Sequence, residues 1–130
     1  MPEGKPKILV VEDEAMLLKT IEFRLKKEGF EIVTATNGKV AKEMIPIELP
    51  DLIVSDIMMP YVSGLELVKH VKDFKEKDIP VILLTTLRQE NNVMKAFELG
   101  ADEFMTKPFS PAELVVRVKR ILQRKGFKMD

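Results

Sequence analysis

Five side chains that can bind or transfer charged groups stand at or just after the ends of predicted strands. They are Glu12, Asp13, Asp56, Thr85 and Lys107. Continuous apolar runs such as Ile8–Val11 are typical of strands buried on both faces of a parallel sheet. In such a sheet, ligands bind at the edge formed by the carboxyl ends of the strands. If the strands concerned are neighbours, three carboxylates, a hydroxyl and an ammonium group converge at that edge.

The carboxylates indicate a metal site that could bind phosphoryl groups. Three ionised carboxyl groups close together repel one another unless a cation neutralises them. Mg²⁺ suits this arrangement because it prefers oxygen ligands and retains several water molecules. Lys107 would add a positive charge and Thr85 a hydrogen-bond donor, and phosphoryl transfer needs little more than such positioning and charge neutralisation. An aspartate can itself accept the phosphoryl group as an aspartyl-phosphate.

Some of these residues also have simpler structural alternatives. Asp13 could cap the first helix, Thr85 could end its strand, and Lys107 could belong to an ordinary loop. Asp56 is harder to explain in this way, because its charge follows closely on a buried apolar run. The occurrence of all of them at the expected strand ends favours a functional site.

The whole sequence alternates apolar runs with amphipathic segments, which predicts five β-α units. The predicted strands are 8–11, 31–35, 52–54, 81–84 and 103–106. The predicted helices are 14–28, 37–45, 65–74, 89–99 and 111 to about 125. This alternation implies a doubly wound parallel sheet with helices on both faces and right-handed crossovers.

Local signals predict where several helices begin and end. Gly29 and Gly100 follow the first and fourth helices, where glycine commonly ends a helix. Pro46 is expected to close the second helix. Ser110 is expected to cap the fifth helix, with Pro111 at its first position.

Length and composition restrict the class of protein. The 130 residues fit a single domain, 1–130, with a core at about 6–125. Cysteine is absent and His70 is the only histidine, which excludes thiolate and multi-histidine metal sites. Equal numbers of basic and acidic residues, 21 each, argue against direct nucleic-acid binding. Without a long apolar run or a signal peptide, we expect a cytoplasmic protein that has no membrane partner.

Four segments resemble the receiver domain of bacterial two-component response regulators. They are Val10-Val11-Glu12-Asp13-Glu14, Ser55-Asp56-Ile57-Met58-Met59-Pro60 with Ser63-Gly64, Leu83-Leu84-Thr85-Thr86, and Gly100-Ala101-Asp102 with Lys107-Pro108-Phe109. The resemblance covers essentially the whole chain. It implies a flavodoxin-like α/β fold whose five-stranded parallel sheet has the order 2-1-3-4-5.

The resemblance also implies a function in phosphorelay signal transduction. Asp56 would accept a phosphoryl group from a histidine kinase or a histidine phosphotransfer protein. Mg²⁺ would be the cofactor, held by Glu12, Asp13, Asp56 and the backbone carbonyl of Met58. Such a protein promotes its own phosphorylation and dephosphorylation and is not otherwise an enzyme.

A conformational switch is implied as well. Thr85 would move toward the phosphoryl group, and Lys107 would pair with one of its oxygens. Phe104 would turn inward as Thr85 moves, the alternative being a static core aromatic. The face formed by helix 4, strand 5 and helix 5 would then change for output.

Three side chains are expected to flank the phosphorylation pocket: Met58, Thr86 and Leu87. Met58 and Leu87 are apolar at positions where many receiver domains carry polar groups. Apolar side chains cannot hold an attacking water by a hydrogen bond, so we expect slow loss of the phosphoryl group. The alternative is that both side chains point away and have no effect.

Two surfaces are expected to bind proteins. The kinase-docking surface comprises Met16, Thr20, Pro108 and Phe109, with Phe23 either extending it or exposed incidentally. A phosphorylation-dependent homodimer would pair Glu103 with Arg117 and Asp102 with Arg124 between subunits. The alternative for these charges is pairing within one chain, or solvation.

Two other functions fit the same sequence pattern less well. An aspartyl-phosphate phosphatase usually carries a second acid two residues after the nucleophile, and Asp56-Ile57-Met58 lacks it. A phosphorylation-independent interaction domain would be favoured by loss of an acid or of Lys107, and none is lost.

Overall fold

The structure, a computed structural model, describes residues 4–59, 62–86 and 90–129. Strands and helices alternate throughout: β1 (Lys7–Val11), α1 (Ala15–Lys27), β2 (Glu31–Ala35), α2 (Gly38–Glu48), β3 (Leu52–Asp56), α3 (Gly64–Asp73), β4 (Val81–Thr85), α4 (Glu90–Leu99), β5 (Glu103–Thr106) and α5 (Pro111–Arg124). All strand pairs are parallel, and the sheet order is β2-β1-β3-β4-β5. The predicted fold class and strand order are therefore confirmed.

The strand order brings the carboxyl ends of β1, β3, β4 and β5 side by side. Val11 is paired with Ser55, and Asp56 with Leu84 of the next strand. Thr85 is in turn paired with Thr106, the last residue of β5. The connection from β1 leads to β2 on one side, whereas the connections from β3 and β4 lead the opposite way. The switch point therefore lies between β1 and β3, which is where ligands bind in folds of this kind.

Alternating side chains of the sheet form two apolar cores. On one face, Ile8 and Val10 of β1 pack with the buried stripe of α1 and with α5. On the other face, Leu9 and Val11 pack with α2 and α3. The central strands are buried on both faces, which explains why their sequences read as continuous apolar runs.

The prediction that Pro46 ends the second helix is wrong, because α2 continues through Pro46 to Glu48. Proline removes only one backbone donor, and here it lies in the last helical turn with its ring exposed. The buried residues Ala41 and Ile45 hold the helix against the sheet, and burial outweighs that single lost hydrogen bond. The helix ends instead at Glu48, and Leu49, which caps it, has a left-handed φ of 46°.

The other helix signals are confirmed. The hydroxyl of Ser110 accepts a hydrogen bond from the Glu113 amide at 3.1 Å, and Pro111 is the first residue of α5. Gly29 and Gly100 have φ values of 97° and 110°, which end α1 and α4. Across the described part of the chain, none of the helices has the length and apolar character needed to span a membrane.

Candidate functional site

The three carboxylates predicted to converge do so at the carboxyl edge of the sheet. Glu12 and Asp13 follow β1, and Asp56 is the last residue of β3. One carboxylate oxygen from each residue lies within 4.8 Å of the other two. Glu12 and Asp56 are buried, with exposed fractions of 1% and 7%, whereas Asp13 is exposed. Two of these charges are therefore largely removed from water and need a compensating cation.

Lys107, which directly follows β5, supplies positive charge to this cluster. Its ammonium Nζ lies 3.0 Å from Glu12 Oε1 and 3.2 Å from Asp56 Oδ2. Partial burial by itself lowers the pKa of Lys107, but the hydrogen bond to Glu12 and the charge of Asp56 outweigh it and raise that pKa. Lys107 therefore stays charged. The predicted convergence at this edge does not specify which carboxylates Lys107 contacts, and its contact with Glu12 is shown only by the structure.

Glu12 is held by the backbone as well as by Lys107. Burial raises the pKa of its carboxyl group, although a hydrogen bond from the Glu14 amide to Oε2, at 3.0 Å, opposes that rise. The N-cap of α1 is Glu14, which makes no side-chain capping bond. Asp13 is thus not the cap of this helix, and its carboxylate faces solvent beside the other two.

The chain after β3 folds back tightly onto the site. The Gly64 amide donates a hydrogen bond to the Ile57 carbonyl at 2.7 Å. A Cβ atom at Gly64 would lie 2.5 Å from the Asp56 carbonyl oxygen and 2.7 Å from Ile57 Cα, so only glycine fits there. The side chain of Met58 is 59% exposed at this turn. Its carbonyl as a metal ligand stays a prediction.

The donor set of this cluster fits Mg²⁺. Carboxylate oxygens are hard ligands, and a small cation with few protein ligands keeps open positions for phosphoryl oxygens. One ammonium group cannot balance three neighbouring carboxylates, so the cluster retains excess negative charge. Glu12, Asp13 and Asp56 could hold the ion together.

The two residues expected to switch lie next to this edge. Thr85 is buried, with 1% of its surface exposed, and its hydroxyl donates to the Thr86 carbonyl at 3.2 Å. Phe104 is half-buried and contacts the Phe97 ring edge-on, with ring centres 5.4 Å apart. The inward turn of Phe104 stays a prediction.

The residues expected to dock a kinase line one side of the same edge. Met16 and Phe23 are 76% and 72% exposed on the outer face of α1, and Thr20 is exposed between them. Pro108 is exposed, and the Lys107–Pro108 peptide bond is cis. Phe109 is half-buried against the α1–α5 core. A groove of about 420 Å³ lies between Lys107 of the site and the two docking residues Pro108 and Phe109, and Glu14, Leu17 and Thr86 also line it.

Three of the residues expected to pair between subunits, Asp102, Glu103 and Arg117, already make contacts within one chain. Arg117 contacts Glu103 at 2.6 Å and also donates to the Phe104 carbonyl at 3.2 Å. Asp102 pairs with Lys72 at 3.0 Å and accepts a hydrogen bond from the Val81 amide. These contacts correspond to the intramolecular alternative, so the inter-subunit pairs would require them to exchange partners. Arg124 is exposed at the end of α5.

Two further residues complete the comparison with the sequence. Leu87, expected to flank the pocket, lies outside the described residues. His70 is half-buried on α3. Burial lowers its pKa, and the nearby charge of Lys42 acts in the same direction.

Comparison with known proteins identifies this arrangement. The family model described as the response regulator receiver domain matches residues 8–119. The phosphate regulon transcriptional regulatory protein PhoB of Pseudomonas aeruginosa is 44% identical over 120 residues, which are 92% of this chain and 52% of that protein. The alkaline phosphatase synthesis transcriptional regulatory protein PhoP of Bacillus subtilis is 42% identical over 118 residues, 91% of this chain and 49% of that protein. The chain thus spans about half the length of these curated relatives.

Solved structures agree with the sequence relatives. The receiver domain of the Francisella response regulator 1452 superposes with a TM-score of 0.85 at 34% identity, covering 93% of this chain and 99% of that one. The signal receiver domain of a signal transduction histidine kinase from Syntrophus aciditrophicus gives a TM-score of 0.87 at 34% identity, covering 96% of both chains. With the family match spanning most of its length, this chain belongs to the response regulator receiver domains of two-component signalling.

Proposed function

We propose that this chain is a phosphorylation-controlled signalling switch in which Asp56 accepts a phosphoryl group from a histidine kinase or a histidine phosphotransfer protein in the cytoplasm. The observation that carries the proposal is the position of Lys107, whose ammonium group lies 3.2 Å from Asp56 within the carboxylate cluster. That arrangement supplies a nucleophile, a cation and a metal-binding set at one edge of the sheet.

The transfer follows from the positions of these groups. An Asp56 carboxylate oxygen attacks phosphorus, the phosphorus–nitrogen bond of the donor histidine breaks, and its electron pair stays on the imidazole nitrogen. Mg²⁺ held by Glu12, Asp13 and Asp56 would neutralise charge on the phosphoryl oxygens. Lys107 then exchanges its contact with Asp56 for one with a phosphoryl oxygen, and the Thr85 hydroxyl can donate to another.

Direct labelling tests this proposal. Incubation with acetyl phosphate and Mg²⁺ is expected to raise the intact mass by about 80 Da, the increment of one phosphoryl group. Chelation of Mg²⁺ by EDTA should prevent the mass increase. A protein that stays unlabelled under conditions that label a known receiver domain would instead favour a phosphorylation-independent interaction domain.

A negative charge introduced on the outer face of α1 is expected to weaken docking of the histidine kinase. Met16→Glu should reduce phosphotransfer from the cognate histidine kinase at least tenfold, because a carboxylate would have to be desolvated in an apolar contact. Labelling by acetyl phosphate should not change, because Met16 is 76% exposed and lies outside the carboxylate cluster. Lys39→Glu, an exposed change on α2, serves as the control. Equal loss in both assays would contradict a docking role for Met16.

Dimerisation is expected to be weak and to depend on phosphorylation. The intermolecular pairs Glu103–Arg117 and Asp102–Arg124 would replace contacts that each chain already makes, and exposed ion pairs contribute only about 0–1 kcal/mol. Sedimentation of the phosphorylated protein should therefore show a dimer at low salt that dissociates as salt is raised. A phosphorylated form that sediments as a monomer at every concentration would remove this prediction.

The phosphoryl group is expected to be lost slowly. Met58 is exposed beside Asp56 and cannot orient an attacking water by a hydrogen bond. Replacing Met58 with Asn and Leu87 with Glu should speed dephosphorylation by roughly 10- to 100-fold, which is the effect of positioning one water. Loss of phosphate from the isolated protein at saturating Mg²⁺ measures this rate. The same rate in wild type and double variant would show that these side chains do not control access.

A further inference from the structure

A basic groove lies where α1 passes the beginning of α5. It has a volume of about 410 Å³ and is lined by Lys19, Thr20, Phe23, Arg24, Lys27 and Pro111. We call it the α1–α5 groove. Among these described lining residues three are basic and none is acidic, although the whole sequence has 21 residues of each charge. The α1–α5 groove therefore concentrates positive charge in a chain that is neutral overall.

The groove residues of α1 form two adjacent rows along the helix. Lys19, Phe23 and Lys27 are spaced by four residues, and so are Thr20 and Arg24. Side chains at this spacing lie on one face of a helix. Phe23 is 72% exposed, and both lysines of its row are exposed as well. One apolar ring flanked by two ammonium groups is thus presented to solvent.

The two lysines of this row are not neutralised by carboxylates of the described part of the chain. Neither Lys19 nor Lys27 makes an ion pair there, whereas Arg24 lies 3.6 Å from Glu28, which Lys119 contacts at 2.9 Å. The helix dipole favours a basic residue in the last turn of α1, which accounts for Lys27. It does not account for Lys19, which lies in the first half of the helix. These ammonium groups are therefore free to pair with acids of another molecule.

The α1–α5 groove is continuous with the surface expected to dock the kinase. Thr20 belongs to both, and Met16 of the docking surface lies one helical turn before Thr20. Phe23 and Pro111 add apolar surface beside the cations, as is common in protein interfaces, whereas a nucleic-acid backbone is bound mainly through its phosphates. The composition of the groove therefore favours a protein partner that carries both acidic and apolar side chains.

We propose that the α1–α5 groove binds an acidic segment of the phosphodonor protein, whose carboxylates pair with Lys19 and Lys27 and whose apolar side chain covers Phe23. This inference rests on the proposed function and adds the chemistry by which the chain selects its donor. Complementary charge at an interface speeds association and discriminates against wrong partners. A donor without such an acidic segment would transfer its phosphoryl group slowly.

Phosphotransfer from an autophosphorylated histidine kinase that labels the wild-type chain tests the proposal. The double variant Lys19→Glu/Lys27→Glu should lower kcat/KM by about tenfold or more, mainly through KM, because these charges act on association. Raising the salt concentration should lower kcat/KM for wild type but much less for this variant. Lys39→Glu/Lys75→Glu is the matched control, since it reverses two exposed lysines outside α1 and gives the same net charge. The control should transfer like wild type.

A second pair of variants tests the apolar part of the groove. Phe23→Ser should raise KM by about fivefold or more, because an aromatic side chain covered by a partner contributes strongly to an interface. Ile47→Ser is the control, since Ile47 is 77% exposed on α2 and should have no effect. Equal KM values for the two serine variants would show that the donor does not cover Phe23.

The remaining outcomes separate this inference from the proposed function. Unchanged kcat/KM in Lys19→Glu/Lys27→Glu would overturn the inference, and so would an equal loss of labelling by acetyl phosphate, which needs no docking. Wild-type binding of a DNA duplex that the same substitutions abolish would make the groove a nucleic-acid site instead. A wild-type chain labelled neither by acetyl phosphate nor by any histidine kinase would overturn the proposed function itself.

Discussion

Asp56→Asn is expected to abolish phosphoryl labelling by acetyl phosphate and by the cognate kinase. An amide oxygen is a poor nucleophile, and neither Glu12 nor Asp13 is expected to replace Asp56, since both are assigned to holding the metal. Loss of labelling should be complete within the detection limit of intact-mass measurement. The fold should be retained, because removing one of three clustered negative charges relieves repulsion in the unliganded site.

Asp73→Asn is the matched control for this result. Asp73 is an exposed carboxylate on α3 that pairs with Lys69, far from the carboxylate cluster. This variant should be labelled like wild type. Full labelling of Asp56→Asn, with the mass increase mapped to another residue, would show that the nucleophile has been assigned incorrectly.

Lys107→Met is expected to destabilise the protein strongly and to make its stability depend on Mg²⁺. The variant leaves the buried carboxylates of Glu12 and Asp56 without their shared ammonium partner. Removing one partner of a buried ion pair lowers the free energy of unfolding by roughly 3–5 kcal/mol. A cation that binds only the folded state should restore part of this loss as its concentration rises. Urea unfolding with and without Mg²⁺ measures both effects.

Lys69→Met provides the comparison for Lys107→Met. Its ion pair with Asp73 is exposed on both sides, and such pairs contribute at most about 0.5 kcal/mol. Its urea midpoint should change little and should respond to Mg²⁺ as wild type does. A Lys107→Met protein as stable as Lys69→Met in the absence of Mg²⁺ would mean that the carboxylates do not depend on Lys107.

Much of the architecture could be predicted from local sequence pattern. Strands buried on both faces appear as continuous apolar runs, and the polar residues that end them stand out for that reason. The cap at Ser110 and the glycines at positions 29 and 100 mark helix ends by backbone chemistry that depends on near neighbours alone. The prediction for the end of α2 is wrong because burial of Ala41 and Ile45, a tertiary effect, outweighs the local effect of Pro46.

The presence of the carboxylate cluster can be predicted, because residues at the ends of neighbouring parallel strands meet at one edge of the sheet. Which of its charged groups pair with one another cannot be predicted in the same way. Lys107 could have faced Asp56 alone, and the distances decide that it bridges Asp56 and Glu12. Arg117 and Asp102 could each pair with several residues of opposite charge. Arg117 pairs with Glu103 and Asp102 pairs with Lys72, because these side chains are long enough to meet in the folded chain.

The order of elements, the two buried faces of the sheet and the residue types at its carboxyl edge follow from hydrophobic periodicity and short-range backbone preferences, so they can be predicted from the sequence. Which charges neutralise one another, and where two backbones come into contact, depends on the folded arrangement. The close approach of Gly64 to the backbone of Asp56 and Ile57, which leaves no room for a Cβ atom, is of this second kind. Ion pairing and close packing depend on distances of a few ångströms between residues far apart in the chain, and no spacing along the sequence encodes those distances.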